Sequence, residues 1–246
     1  MVGQGEEGMS ELFQWLEAIH DRGEYVRDQL SHATPVFALS RPEGILLVGV
    51  GLGQSKVFEI YDRHAIAALG NPVDIEKIRQ TAIEAAHLEG FNRSPQDVTL
   101  RRLMSYSLSP ALKNSFESVF QPPLIVEGVF AEVGETPQDD VLMEFSHDGN
   151  FGVVHDGLAV VSSNTAAATQ AKDWLRTRLK PHSNRNRVLG LLLAMWQAMT
   201  NGERIGNSIK CANLETVDLG GRVLEMALLD RKTPNKVKYQ ALAGNA

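Results

Sequence analysis

Four groups of residues have types and spacings that could do chemistry. Thr34 stands directly before the apolar run PVFALS, and cleavage after Ala33 would make it an amino-terminal threonine. Such a threonine attacks a peptide carbonyl while its own α-amine, with a pKa of about 8, takes the hydroxyl proton. Gly49, Gly51 and Gly53 close the next apolar run in a pattern like that of a phosphate-cradling loop. His147-Asp148-Gly149 and His155-Asp156-Gly157 offer imidazoles and carboxylates to a metal or a proton-transfer pair, and Cys211 offers a thiol.

Most of these readings fail on their context. A phosphate loop needs a helix after its glycines, so that the helix amino terminus meets the anion. Gly53 leads instead through Gln54 and Ser55 into the strand-like run KVFEIYD, so the glycines read as permissive backbone at a strand end. Asp-Gly signals a hairpin turn, and both His-Asp-Gly copies fall between strand-like runs without metal-ligand spacing, so they read as turns. His32 lies near the negative pole of the first helix, where a histidine is favoured. Ser40, Ser146, Ser162 and Ser163 lack the Gly-x-Ser-x-Gly setting of a nucleophile elbow. Cys211, the one cysteine, cannot form an intrachain disulfide and reads as a small buried hydrophobe. No metal and no cofactor is expected. Thr34 remains the candidate nucleophile, and it would need a cationic or polar surround.

The elements that must position Thr34 follow from periodicity. Residues 1–9 read as a flexible leader and 10–32 as an amino-terminal helix capped by Ser10, with Leu12, Phe13, Leu16, Ile19, Val26 and Leu30 on its apolar positions. Gly23 weakens its middle. PVFALS and ILLVGV form a hairpin through Arg41-Pro42-Glu43-Gly44, a turn longer than the tightest type, and KVFEIYD and HAIAALG form a second pair turning at Asp62-Arg63. Asn71, Pro72 and Asp74 open a helix that reaches Gly90. Another helix runs from Thr99 to Phe120, kinked by Pro110. Four strand-like runs follow, LIVEGVFAEV, VLMEFS, FGVV and LAVVSS, then helices near Thr165–Leu179 and Asn186–Thr200. ANLETVDL and RVLEMALLD read as a closing hairpin, and 231–246 as a loosely held basic tail. Trp15, Trp174 and Trp196 fall on helical stripes and read as core or interface anchors.

Grouped strands and grouped helices, rather than alternation, indicate an α+β fold of antiparallel sheets covered by helical layers, in a single domain over 1–246. The 246 residues, 43% hydrophobic and 22% charged, suffice for a buried core. A net charge of −6 argues against a general nucleic-acid surface. No apolar run approaches the roughly 20 residues that span a bilayer, and the acidic, Gly-rich start lacks a signal-peptide layout. With one cysteine, these features predict a cytoplasmic protein with no membrane partner.

The run SHATPVFALSRPEGILLVGVGLGQSKVFEIYDRHAIAALG, followed by GFNRSPQDVT, VEGVFAEVG and LETVDLGGRVLEMALLD, resembles a bacterial 20S proteasome subunit from about Arg22 to Asp230. The resemblance implies a four-layer α-β-β-α sandwich of two antiparallel sheets, the fold of amino-terminal-nucleophile hydrolases. Catalytic β-type members carry a threonine before the first strand, an aspartate just after the second and a lysine at the third. Thr34 falls at the first position and Lys56 at the third, but Val50 occupies the aspartate position. Pro35 also departs from the β-type sequence. RGEYVRDQLSHATPVFAL is similar to the retained first helix of α-type members, which keep the lysine too.

The resemblance therefore implies a non-catalytic α-type subunit. Such subunits form seven-membered rings on β-type rings, close the axial pore with their amino-terminal segments and receive the carboxyl tails of ring-shaped ATPase activators. Lys56 would meet the terminal carboxylate of such a tail. Identical copies, a β-type subunit, the activator and protein substrates in transit are the implied partners. Two alternatives stand beside this reading: a self-processed threonine peptidase using Thr34, and a proteasome-like homo-oligomeric cage of other function. Gln14-Trp15-Leu16 replaces the Ser-Pro-Glu that often opens the first helix of α-type members, and the loop between the second and third strands is shorter.

Overall fold

A computed structural model of the chain describes residues 3–180 and 182–243. The first hairpin, β1 (Val36–Arg41) with β2 (Gly44–Gly51), lies in a five-stranded antiparallel sheet of order β10-β9-β2-β1-β8. In that sheet β8 is Leu158–Val161, β9 Val223–Asp230 and β10 Tyr239–Leu242. The second sheet runs β3-β4-β5-β6-β7 and is also antiparallel. Its strands are Val57–Tyr61, His64–Gly70, Val126–Glu132, Val141–Phe145 and Phe151–Val154.

Strict alternation in these strands divides the apolar residues among three layers of core. Ile45 and Leu47 of β2 face the other sheet, meeting Ala65, Ala67 and Leu69 of β4 and Val129 of β5. Leu46, Val48 and Val50 face outward onto α5 (Thr165–Arg178) and α6 (Arg185–Thr200), where Leu192, Met195 and Trp196 lie. On the far side, Ile66 and Ala68 of β4 and Phe130 of β5 pack under α2 (Pro72–Asn92), whose Ile75, Ile78, Ala82 and Ala86 make its buried stripe. The result is the expected α-β-β-α sandwich. Asn71 caps α2 by accepting the Val73 N–H, and Pro72 occupies its first turn, as the sequence implies.

Several local expectations change. The first helix, α1, spans Gly3–Leu30, so the helix begins well before Ser10 and 3–9 are part of it, while residues 1–2 of the expected leader lie outside the described residues. The β1–β2 turn is tight, because Arg41 pairs directly with Gly44, whose φ of 145° carries the chain round. Pro110 acts on the turn before it: α3 (Leu100–Leu103) opens into a wide π-type turn at Met104–Leu108 before α4 (Ser109–Glu117) resumes. Proline lacks the N–H that would bond the carbonyl four residues back, and the widened turn absorbs that gap.

His147-Asp148-Gly149 turns β6 into β7, but His155-Asp156-Gly157 joins β7 to β8 in the other sheet, so it is a crossover rather than a hairpin. ANLETVDL is not a strand: Leu214, Val217 and Leu219 anchor an irregular loop against the α6 core. The partners of β9 are β2 and β10, and β10 comes from the expected loose tail. Tyr239 explains why that segment is held, since its hydroxyl donates to the Val57 carbonyl at 3.3 Å.

The end of the sandwich at the β1–β2 turn is tied by one buried ion pair. Arg231, just after β9, donates from both terminal nitrogens to Asp140 at 2.8 Å, with side chains only 9% and 2% exposed. Asp140 also accepts from Ser40 Oγ of β1 at 2.6 Å and from the Gly134 N–H at 2.9 Å. Asp140→Ala leaves the guanidinium buried without its counter-charge. A loss of about 3–5 kcal/mol is expected, read as a lower urea midpoint.

Candidate functional site

The open end of the β1–β2 hairpin, opposite its turn, brings Thr34, Val50 and Lys56 together. Thr34 lies just before β1, buried, and its hydroxyl donates to the Val50 carbonyl at 2.5 Å. Lys56, just before β3, sends its ammonium to the same threonine, donating to Oγ1 and to the carbonyl oxygen, each at 2.7 Å. The Val50 side chain points the other way, into the core under α5 and α6. Strand alternation thus puts the residue at the aspartate position on the wrong face to serve Thr34 even as a neighbour.

The glycines now have a specific role. A Cβ on Gly49 would lie 3.1 Å from Lys56 Cβ, and one on Gly51 would lie 3.5 Å from Lys56 Cε and 2.9 Å from the Gln54 carbonyl oxygen. Gly49 and Gly51 are therefore the floor of a channel along which the lysine stem reaches Thr34. Gly53 has nothing near it, but its φ of 84° suits the loop turn.

Burial of the Lys56 ammonium pulls its pKa down to about 8; Glu225 opposes that fall and Arg222 adds to it. Glu225 of β9 is the site residue that sequence reasoning missed. Its carboxylate accepts the Lys56 N–H at 2.7 Å and the Val57 N–H at 3.3 Å. The available signal was one acid inside the apolar run RVLEMALLD, but the misplaced closing hairpin hid which strand it faced.

The other candidates lie elsewhere and do not converge on Thr34. His147 Nδ1 sits 2.9 Å from Glu127 Oε1, Ser146 donates to Asp148, and Asp156 pairs with Arg176. Among the described residues no group of three or more His, Cys, Asp or Glu side chains could hold a metal ion. Cys211 is exposed rather than buried, with Sγ 3.6 Å from the Arg187 carbonyl, because the loop carrying it rides over α6 at Gly190. Trp174 and Trp196 are core residues, whereas Trp15 is exposed on α1.

No family model matches the chain. Among curated proteins it is 31% identical over 236 residues to the proteasome subunit alpha of Actinosynnema mirum, covering 94% of this chain and 82% of that one. It is 30% identical over 230 residues to the proteasome subunit alpha of Streptomyces scabiei, covering 93% and 86%. A third relative, the proteasome subunit alpha of Streptomyces avermitilis, is also 30% identical over 230 residues, covering 93% and 84%. The chain belongs to the proteasome alpha-subunit family.

The family assignment agrees with the α-type side of the sequence comparison and with the four-layer sandwich. No described helix is long and apolar enough to cross a membrane.

The lowered Lys56 pKa has a consequence for stability. Between about 8 and the ordinary 10.5, the unfolded chain holds a proton on this lysine that the folded chain has released. The folded state therefore gains stability as pH rises through that window. In Lys56→Met this contribution disappears. Urea midpoints measured across the window should rise more steeply in the parent than in the variant.

Proposed function

We propose that the chain is a non-catalytic α-type subunit of a cytoplasmic proteasome core. Identical copies form a ring that stacks on β-type subunits, gates the passage of protein substrates and docks a ring-shaped ATPase activator, contributing to intracellular protein degradation. The observation that carries the non-catalytic reading is the state of Thr34. Its hydroxyl is committed to the Val50 carbonyl, and the acid position is a valine facing the helices. An attacking threonine needs a free amine or another base to take its proton.

The same geometry supports Lys56 as the docking group. An ammonium has three donors; two are held by Thr34, and the third is left for an incoming carboxylate in a partly desolvated setting. Leu12, Phe13, Trp15 and Leu16 are exposed along α1 and supply apolar surface that ring contacts would cover.

Intact-mass analysis of the chain purified with its β-type partner tests the first part. A mass that retains α1, and no labelling by a threonine-directed electrophile, is expected; a chain beginning at Thr34 would establish the peptidase instead. Electron microscopy should show a two-component barrel, whereas a closed shell of this chain alone would establish the cage. Lys56→Ala should leave ring assembly intact and cut activator-stimulated degradation at least severalfold. Unchanged stimulation removes Lys56 from the docking role.

A further inference from the structure

We infer that Glu225 is the positioning residue of Lys56, supplying from β9 the acidic partner that the Val50 position lacks. The assignment deepens the docking reading and rests on it for its functional meaning, but its structural content stands independently. Glu225 pairs in register with Gly49, so its side chain leaves β9 on the face where the lysine stem crosses the glycine floor. From there it reaches across to the second sheet and takes the N–H groups of Lys56 and Val57.

The first residues of β3 are held from three sides. Glu225 takes their donors, the Lys56 carbonyl accepts from the Ala68 N–H at 2.9 Å, and Tyr239 of β10 donates to the Val57 carbonyl. With its backbone held and no Cβ on Gly49 or Gly51, the lysine stem has one direct path, toward Thr34.

The charged groups facing the ammonium are few. Glu225 on β9 favours its protonated form, Arg222 just before β9 disfavours it, and β2 presents Gly49 and Gly51 beside the lysine stem. Thr34 contributes a hydroxyl and a carbonyl but no charge. Glu225 is thus the negative charge that keeps a half-buried ammonium ionised close to neutral pH. A docking carboxylate needs that ionised form, so the acid governs both the aim and the charge of the group that receives it.

The test follows the Cε resonance of isotope-labelled lysine in the full chain, with Lys56 assigned by its disappearance in Lys56→Arg. The parent should titrate at about 8. Glu225→Gln keeps the size and an acceptor oxygen while removing the charge, and the midpoint should fall by about one unit. Glu225→Asp should recover most of that fall. Glu59→Gln, which removes a β3 acid that acts on Tyr239 as Glu225 does, should leave the midpoint unmoved. An unmoved midpoint in Glu225→Gln overturns the assignment.

Activator-stimulated degradation by the assembled core then separates the two readings. Loss in both Lys56→Ala and Glu225→Gln, with recovery in Glu225→Asp, supports the positioning role in docking. Loss in Lys56→Ala alone overturns that role and leaves the docking lysine standing. A fallen midpoint with no loss in either variant sustains the pairing and overturns the docking reading.

Discussion

The hairpin β1–β2 lies between two layers, with every residue of β2 buried. A strand covered on both faces has no room along its length for an unpaired charge, because each such group would lose its water without gaining a partner. Its backbone pairs with β9 from Gly44 to Gly51 and with β1 from Gly44 to Gly49. Polar chemistry is therefore pushed to the two ends of the hairpin. One end holds the buried Arg231–Asp140 pair that ties the turn to the second sheet. The other holds Thr34, Lys56 and Glu225.

At that second end, small residues and one acid decide what the lysine does. Were β2 to carry side chains in place of Gly49 and Gly51, they would crowd the stem of Lys56 and the Gln54 carbonyl. The same absence of side chains leaves no acid on that face of β2, and the only carboxylate acting on the ammonium comes from β9. A threonine and a lysine are thus held at 2.7 Å. The hydroxyl donates to the Val50 carbonyl, and the ammonium donates to Thr34.

The sandwich was legible because β1, β2, β4 and β5 are short, nearly continuous apolar runs bounded by turn residues, with Asn71-Pro72 marking the helix after β4. The errors share a physical cause. ANLETVDL has strand-like composition, but its apolar residues serve as separate anchors under a loop, which periodicity cannot distinguish in a short run. Tyr239–Leu242 looked loose because its hold comes from pairing with β9 across a polar loop and from the Tyr239 hydroxyl, which donates to the carbonyl of the sequence-distant Val57. Glu225 was invisible for the same reason: its meaning depends on which strand lies opposite. The Thr34–Lys56 pairing, by contrast, was readable only through a family resemblance, since nothing local to either residue specifies the other.

The position of α1 ties the segment before Thr34 into the core. Val26 and Leu30, on its last turns, are fully or almost fully buried and belong to the same core layer as Val36, Ile45 and Leu69 between the sheets. Arg22 adds bonds from its guanidinium to the carbonyls of Phe116 and Ser115 at the end of α4, at 2.8 and 3.0 Å. Gly23 faces the Phe116 ring, which a Cβ there would meet at an ordinary contact distance of 3.7 Å. Releasing this segment would strip out two apolar side chains worth about 1.5–3 kcal/mol each. Exposing the amine of Thr34 would thus mean opening the layer that positions Thr34. The helix that completes this end of the sandwich shares its core with the strand that Thr34 leads into.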